Sequence, residues 1–568
     1  LSADIRDLNL DMIGLGSAGH HGRRLSFTAD AMLSGTMVDD LEGTVNIDRL
    51  TVSQPHADDL TLDGIRIAAV RSEAADTLTL TSEIADASVI GKFHIAALPA
   101  VGKEILAQTL PALSGNVGAT GSQSFLSNPA NSCELDYDIR IKTLDPLSPL
   151  LKLPVRVIDP ISVRGDFSSS REAMSLNLDA PYLLQGKKLI ENTSLTFGVS
   201  GVEGDEGAGR GQLFFSTTLP TKNGPMTLSS TSEAYDDQVD SHLEWKVDRR
   251  RDYSGDINLT TRFSRDTDNR LRTELLFNPS RAVFNDTVWT VEPSVISIEG
   301  KEICVSDFKV WRDRQFITID GRASESPADT ITVTLEDIDL DYVFETLNIP
   351  TAMFGGNASG KLYATQLLTA EPKAFTRGLS VKDLTYNYSL MGDALLRSEW
   401  VNDSKAISII AEIHQPNGLK SYVDGEIFPM ADSLDMRFDA DRIEIGFLKP
   451  YMSAFASDIS GYATGTARLW GTFKLIDMVG DIYGEDVKLT LGFTNTTYST
   501  TDSVRLTPGR IDISDLTLHD VNGHTAKLNG WVTHKCFKQP EFKFRITDAR
   551  DLLVYDVKEN PEHPWYGR

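Results

Sequence analysis

Two glycine-rich stretches and three carboxylate pairs carry residue types that could do chemistry. Gly14, Gly16 and Gly19 in "MIGLGSAGHHGRR" have the G-x-G-x-x-G spacing of a turn that seats a dinucleotide pyrophosphate at a helix N-terminus. That chemistry needs the helix. The next residues are instead His20, His21, Gly22, Arg23 and Arg24, and then Leu25, Phe27 and Ala29 alternate with polar residues, which is the period of a strand. A glycine-rich hairpin loop fits better, and Asp39-Asp40, at the distance of a ribose contact, adds little in so acidic a chain. "GGNASGK", with Gly355, Gly360 and Lys361, matches G-x-x-x-x-G-K, yet Leu362 stands where a phosphate loop needs Ser or Thr for magnesium. The stretch also comes after a helical segment and before a strand, the reverse of the phosphate-loop order. His20 and His21 would point to opposite faces of a strand and so cannot chelate together. The carboxylate pairs Asp339 with Asp341, Asp439 with Asp441 and Asp58 with Asp59 fit solvated strand faces and turns. No G-x-S-x-G, H-E-x-x-H or calcium-loop pattern occurs. The expectation is a protein that is not an enzyme and uses no cofactor or metal.

The bulk composition narrows the classes further. Lys plus Arg total 55 against 81 Asp plus Glu, a net charge of −26, which opposes nucleic acid as a partner because a polyanion requires a basic stripe. The one dense basic cluster, "DRRRD" at 248 to 252, is flanked by aspartates and reads as a solvated turn. Apolar residues at 40% suffice for a core. Cys133, Cys304 and Cys536 are too widely spaced for a disulfide framework and read as free thiols. The chain starts at Leu1 and ends in "PWYGR" without a signal segment or a run of about 18 apolar residues, and reads as an excerpt of a longer protein whose anchor lies elsewhere.

The elements that would position any site are strands. Apolar residues alternate with Asp, Thr, Ser, Asn or Arg throughout: Val45 and Ile47; Leu60 and Leu62; Leu78 and Leu80; Leu176 and Leu178; Leu195 and Phe197. The later stretches repeat it: Ile331, Val333 and Leu335; Leu434, Met436 and Phe438; Ile511, Ile513, Leu516 and Leu518; Phe542 and Phe544. Such strands have one wet and one dry face and belong to antiparallel sheet. They recur every 10 to 15 residues or so, with no long helix between, which disfavours a doubly wound α/β enzyme and suggests about 40 to 50 strands in all. The predicted fold is all-β: an elongated, curved stack of strands, a solenoid-like trough with a few short helices, running through residues 1–568. These alternating apolar residues are its predicted lining. "VGKEILAQTL" reads as a short amphipathic helix, and 114–132 and 200–212 as flexible loops.

An internal repeat lies within the strand field. Shifting the stretch from Ile331 to Leu362 by 105 positions places Val333 on Phe438, Leu340 on Ile445, Val343 on Leu448, Leu347 on Met452, and Ala358-Ser359-Gly360 on Ala463-Thr464-Gly465, without a gap. The unit reads strand, short apolar helix, glycine turn, strand. Looser copies start at 135 and at the amino terminus, giving approximate units 1–134, 135–330, 331–433 and 434–568.

Residues 434–532 resemble the TamB proteins of the AsmA-like superfamily, in their Bacteroidetes-type form. The likeness rests on the small-x-Gly turn at Ala463 to Gly465, "GTFK" at 471 to 474, the strand pair "LTPGRIDISDLTLHD", and "GHTAKLNGWV". It covers roughly the last 240 residues, and upstream extends to the style of repeat alone. The resemblance implies a periplasmic protein of a diderm bacterium, anchored in the inner membrane by a segment absent from this sequence. It implies a hydrophobic groove that conducts phospholipid acyl chains towards the outer membrane, and an outer-membrane barrel partner of the barrel-assembly type. The alternative is an assembly scaffold for such barrels, with a dry face filled by its own side chains. A wet, carboxylate-lined groove would instead mark a carbohydrate-active solenoid enzyme.

Overall fold

The computed structural model describes residues 1–9, 23–35, 38–53, 59–95, 97–114, 128, 131–147, 155–200, 209–221, 223–346, 354–453, 456–472, 475–535 and 538–557. Among them are 34 strands, all paired antiparallel. That is fewer than the alternation suggests, because strands run as long as 17 residues at Ala456–Thr472 and Leu475–Leu491. The chain divides into two compact units, Leu1–Gly300 and Lys301–Arg568. In the first, strands pair in sequence order from Ser2–Asn9 to Leu271–Phe277, except that the short strand Val155–Val157 sits beside the end of Ala173–Gln185. In the second the order is unbroken from Glu302–Arg312 to Lys538–Thr547. Both units are therefore all-β, built by each strand folding back on the one before it.

A recurrent bulge organises these strands. At Asp7, Asp307, Asp337, Asp383, Arg442, Asp486 and Asp515 the backbone adopts φ between 50° and 56°, and the pairing register slips at each. The slip inserts one residue, three on the bulged strand spanning two on its partner, so apolar residues three apart, such as Leu335 and Ile338 or Ile513 and Leu516, share a face. Asp dominates these positions because a short polar side chain tolerates the left-handed region. Every bulged N–H is satisfied by a side-chain oxygen of a neighbouring strand: Ser26 Oγ, Asp320 Oδ1, Ser359 Oγ, Asp393 Oδ1, Thr464 Oγ1, Thr501 Oγ1 and Asn529 Oδ1, at 2.7 to 3.4 Å. This explains the repeat: the 105-residue shift carries Asp337 onto Arg442 and its acceptor Ser359 onto Thr464. The glycine after each acceptor has φ of 150° at Gly360 and 148° at Gly465, and a Cβ at either would meet the backbone of the adjoining strand. Ser359→Ala should therefore lower stability by about 1 kcal/mol, read from the denaturant midpoint, because a part-buried N–H loses its acceptor, and Thr464→Ala, where the N–H is exposed, should cost less. Ser359→Thr should be close to neutral.

Short helices interrupt the strands where the sequence predicts them. Helix α1, Leu98–Thr109, begins with Pro99 in its first turn and buries Val101 and Ile105, four residues apart on one face. Helix α2, Leu340–Thr346, is started by Asp339, whose Oδ1 accepts the Tyr342 N–H at 3.1 Å. The pair Asp339 and Asp341 thus marks a helix start, with Asp341 raised above the usual carboxylate range by burial and by Asp339. A 3₁₀ turn, Gly446–Leu448, and helix α3, Lys449–Met452, take the corresponding place in the second copy.

Several sequence expectations change. "GGNASGK" lies inside the strand Phe354–Thr365, so its amides are engaged in sheet pairing and no loop exists to cradle a phosphate. Residues 210–212, predicted as loop, begin the strand Arg210–Thr221. Gly14, Gly16, Gly19, His20 and His21, Asp58, residues 115–127, 129–130 and 201–208, and Cys536 lie outside the described residues, while Ser200 ends the strand Lys188–Ser200. "DRRRD" is a turn held by its own packing: Arg249 stacks over Tyr253 at 4.2 Å and Arg251 donates to Asn285 Oδ1 at 2.7 Å.

The second unit closes with a tip that depends on one carboxylate. Asp520, its side chain fully buried, accepts from the N–H groups of Asn522, His524 and Leu553 and from the His524 ring at 2.8 to 3.0 Å. Burial opposes its charge, but these hydrogen bonds prevail and hold the carboxyl well below the usual range. A depressed folded-state pKa means its contribution is complete above the unfolded value of about 4 and is lost as pH falls from there. Hydrogen exchange at Leu553 should accelerate below about pH 4 in the parent. In Asp520→Asn it should already be fast at neutral pH.

Candidate functional site

Directly paired residues in antiparallel strands share a face, so the registers trace each face across a unit. In the first unit one row runs from Val45 to Ile67, Leu80, Ala87 and Ile139. It continues through Val163, Leu178, Leu195 and Phe215. Ser230, Leu243 and Ile257 complete it. Twelve strands contribute, spanning about 50 Å at the usual strand spacing. Serine at Ser230 is the single break in an otherwise apolar row. Every member is half-buried.

The second unit has a row of the same kind. It passes from Ile317 through Leu335, Gly360, Leu379, Leu396, Ala411 and Val423 to Phe438. From there it runs through Ala467, Gly480, Leu506, Ile511 and Val532 to Phe542. Beside it, Val333 pairs with Ile319 and Leu362, and Met436 with Gly425 and Leu469.

The margins of these faces are buried, whereas the middle rows are half-buried apart from Ala411 and Ala467, which are 7% and 9% exposed, and the exposed Phe542 at the end. In the first unit α1 lies along one margin: Val101, Ile105 and Cys133 are 0% exposed and pack with Phe93, Leu135 and Val199. At the other margin Leu144 joins Val157, Ile161 and Ala180, and Leu147 joins Val52, Leu60 and Leu62. In the second unit the marginal row Ile338, Ala358, Val381, Ala394 and Ile413 is 2% to 7% exposed. Nearby, α2 and the turn before α3 are joined by aromatic contacts, Phe344 to Phe354, Phe354 to Tyr386 and Tyr386 to Phe447, at 4.8 to 5.9 Å. The Tyr386 hydroxyl meets that of Tyr451 at 2.6 Å, and burial raises its pKa strongly.

The predicted lining residues fall accordingly. Leu60, Leu62, Ile331, Met436 and Leu516 are buried; Val45, Ile47, Leu78, Leu80, Leu176, Leu178, Leu195, Phe197, Val333, Leu335, Leu434, Phe438, Ile511, Ile513 and Leu518 are half-buried. The registers put each on the apolar face of its own unit. Phe542 and Phe544 share that face by pairing with Val532 and Gly530, yet are 64% and 42% exposed, because among the described residues Lys538–Thr547 has a partner on one side alone. They form a stacked pair at 5.4 Å, uncovered rather than groove-lining. Sequence reasoning missed the cover, since α1 and its contacts with Leu135 and Val199 join residues far apart in the chain.

The opposite faces are polar. Arg468 bridges Asp435 at 2.8 and 2.6 Å, Arg442 bridges Glu485 at 2.7 and 3.3 Å, and Arg505 bridges Asp481 at 2.8 Å. A depression lined by Asp424, Glu426, Asp435, Arg437 and Arg468 sits among these exposed pairs, which contribute little to stability but keep that face wet. Among the described residues no cluster of His, Cys, Asp and Glu could hold a metal ion, and no helix is long and apolar enough to cross a membrane. Comparison with family models, with curated proteins and with solved structures finds no match to this chain.

Proposed function

We propose that the chain is part of a TamB-like, non-enzymatic lipid transfer protein, which holds phospholipid acyl chains along its apolar faces and passes them from inner to outer membrane across the periplasm of a diderm bacterium. The observation that carries the reading is the half-buried apolar row between buried margins. A packed core would bury its central residues most deeply; here most of them are only half-buried, Ala411, Ala467 and Met436 excepted. An acyl chain of sixteen carbons costs on the order of 12 kcal/mol to expose to water, at about 0.8 per methylene, and a face of this chemistry removes that barrier. Because the row repeats similar side chains from strand to strand, neighbouring positions are nearly equal in energy, which favours sliding over storage. An inner-membrane anchor and an outer-membrane barrel partner belong to the same proposal.

The test is photo-crosslinking with a phospholipid that carries a photoreactive acyl chain, followed by mass-spectrometric mapping. Adducts at Leu80, Leu178, Val333 or Phe438 support the conduit. Adducts confined to the polar faces, or none, would reject it in favour of the scaffold.

A further inference from the structure

We propose that two copies of this chain pair through their Lys538–Thr547 strands, antiparallel about a two-fold axis at Lys543, so that their apolar faces join. The strand has one partner among the described residues, Thr525–Lys535, and its described side chains are all exposed. Among the described residues beyond it, 548–557, none pairs with it. Instead Leu553 docks on Asp520, while the Leu553 carbonyl accepts from Tyr498 and the Asp556 carbonyl from Asn495.

The direction of its backbone groups fixes what a partner must offer. The Glu541 carbonyl accepts from Thr533 Oγ1 at 3.5 Å, and a Cβ placed on Gly530 would run into the Lys543 carbonyl. Residues 541 and 543 therefore turn their polar groups towards the neighbouring strand. By alternation Phe542, Phe544 and Ile546 turn theirs outward, while Pro540 presents a carbonyl but no N–H. With Lys543 on the axis, Phe542 faces Phe544 of the other copy and Ile546 faces Pro540. All three outward N–H groups of each copy then meet carbonyls. The missing proline N–H falls opposite Ile546 at the end of the run, where it costs least. A shift of two residues one way moves that gap opposite Phe544; the other way sets Lys543 against Arg545.

Charge selects the same register. Glu541 faces Arg545 of the other copy twice, and neither residue, nor Lys543, makes an ion pair among the described residues. Lys543 faces only itself, on the wet side where both side chains can splay. Phe542 and Phe544, already stacked within one strand, continue into the other copy as cross-strand aromatic pairs. A single strand thus supplies both halves of its own complement, which marks an isologous contact that closes as a dimer. The proposal stands independently of the lipid reading.

Sedimentation velocity of the 62.5 kDa chain from about 1 to 100 µM should show a reversible dimer. Glu541→Lys or Arg545→Glu should weaken it about tenfold, and the two together should restore it. Lys543→Cys, with Cys304 and Cys536 changed to Ser, should yield a disulfide-linked dimer on oxidation. A monomer throughout, a dimer indifferent to these charges, or an open-ended ladder of oligomers would each overturn the proposal.

Discussion

Phe438→Asp should slow lipid passage by roughly 30-fold to 1000-fold while the protein melts close to the parent temperature. Phe438 pairs with Val423 and Ala467 in the middle of the second unit's apolar row and is half-buried. A carboxylate there keeps part of its hydration in the free protein but must lose it when an acyl chain lies across it, a barrier of about 2 to 4 kcal/mol. One blocked position interrupts a serial path, so the whole barrier appears in the transfer rate. Val333→Asp, on the neighbouring row, should behave alike. Thr332→Asp, on the polar face between Asp320 and Tyr363, should leave transfer unchanged. Transfer of a fluorescent phospholipid between vesicles, read beside thermal melting, decides the matter. If Phe438→Asp and Val333→Asp instead unfold the chain, the face is a packed core and the conduit fails.

Period-two alternation made the all-β fold and the apolar face legible in the sequence, and it grouped Ile511 and Ile513 with Leu516 and Leu518 although 513 and 516 are three apart. Strict alternation would divide them between faces. The bulge at Asp515 unites them, and its cause was hidden: the positive φ is local, but the Asn529 side chain that satisfies the Asp515 N–H lies on the next strand. The same holds for Asp337 and Ser359. The sequence repeat showed the shared spacing of these parts within the chain, while the hydrogen bond that requires it became visible only with strand pairing. Cover was hidden for a related reason. Val45 and Val52 are similar side chains on one strand and face, yet Val52 is buried beneath Leu147 and its neighbours while Val45 stays half-open. Nothing in an alternating pattern distinguishes a margin from a middle. Phe542 and Phe544 show the same limit at an edge.

Ile105→Asp should lift α1 from its margin and expose Cys133 to solvent, raising the rate of thiol labelling there on the order of 100-fold or more. Ile105, Val101 and Cys133 are all fully buried in one cluster, and each aliphatic side chain contributes about 1.5 to 3 kcal/mol by its burial. An aspartate at 105 removes that contribution and would bury an unpaired charge, so the helix leaves rather than stays. In the parent the Cys133 thiol is pushed up by burial, with Asp39 and Glu134 adding to the effect, and its contact with the His94 carbonyl at 3.8 Å does not offset them. It should therefore label slowly with maleimide, whereas Cys304 is only half-buried and supplies an internal reference. The strands beneath α1 are held by their own ladders: Cys133–Ile141 pairs on both sides, with Ala85–Phe93 and with Ile161–Ser168. The sheet should therefore persist after the helix departs, with unchanged far-ultraviolet strand signal. The row Leu135, Phe167, Met174 and Val199 would then join the open middle of the first unit, and photo-crosslinking to lipid should extend onto it. Fast labelling of Cys133 with the sheet intact would establish α1 as a detachable cover. Loss of the strand signal would instead make it part of what holds the first unit folded.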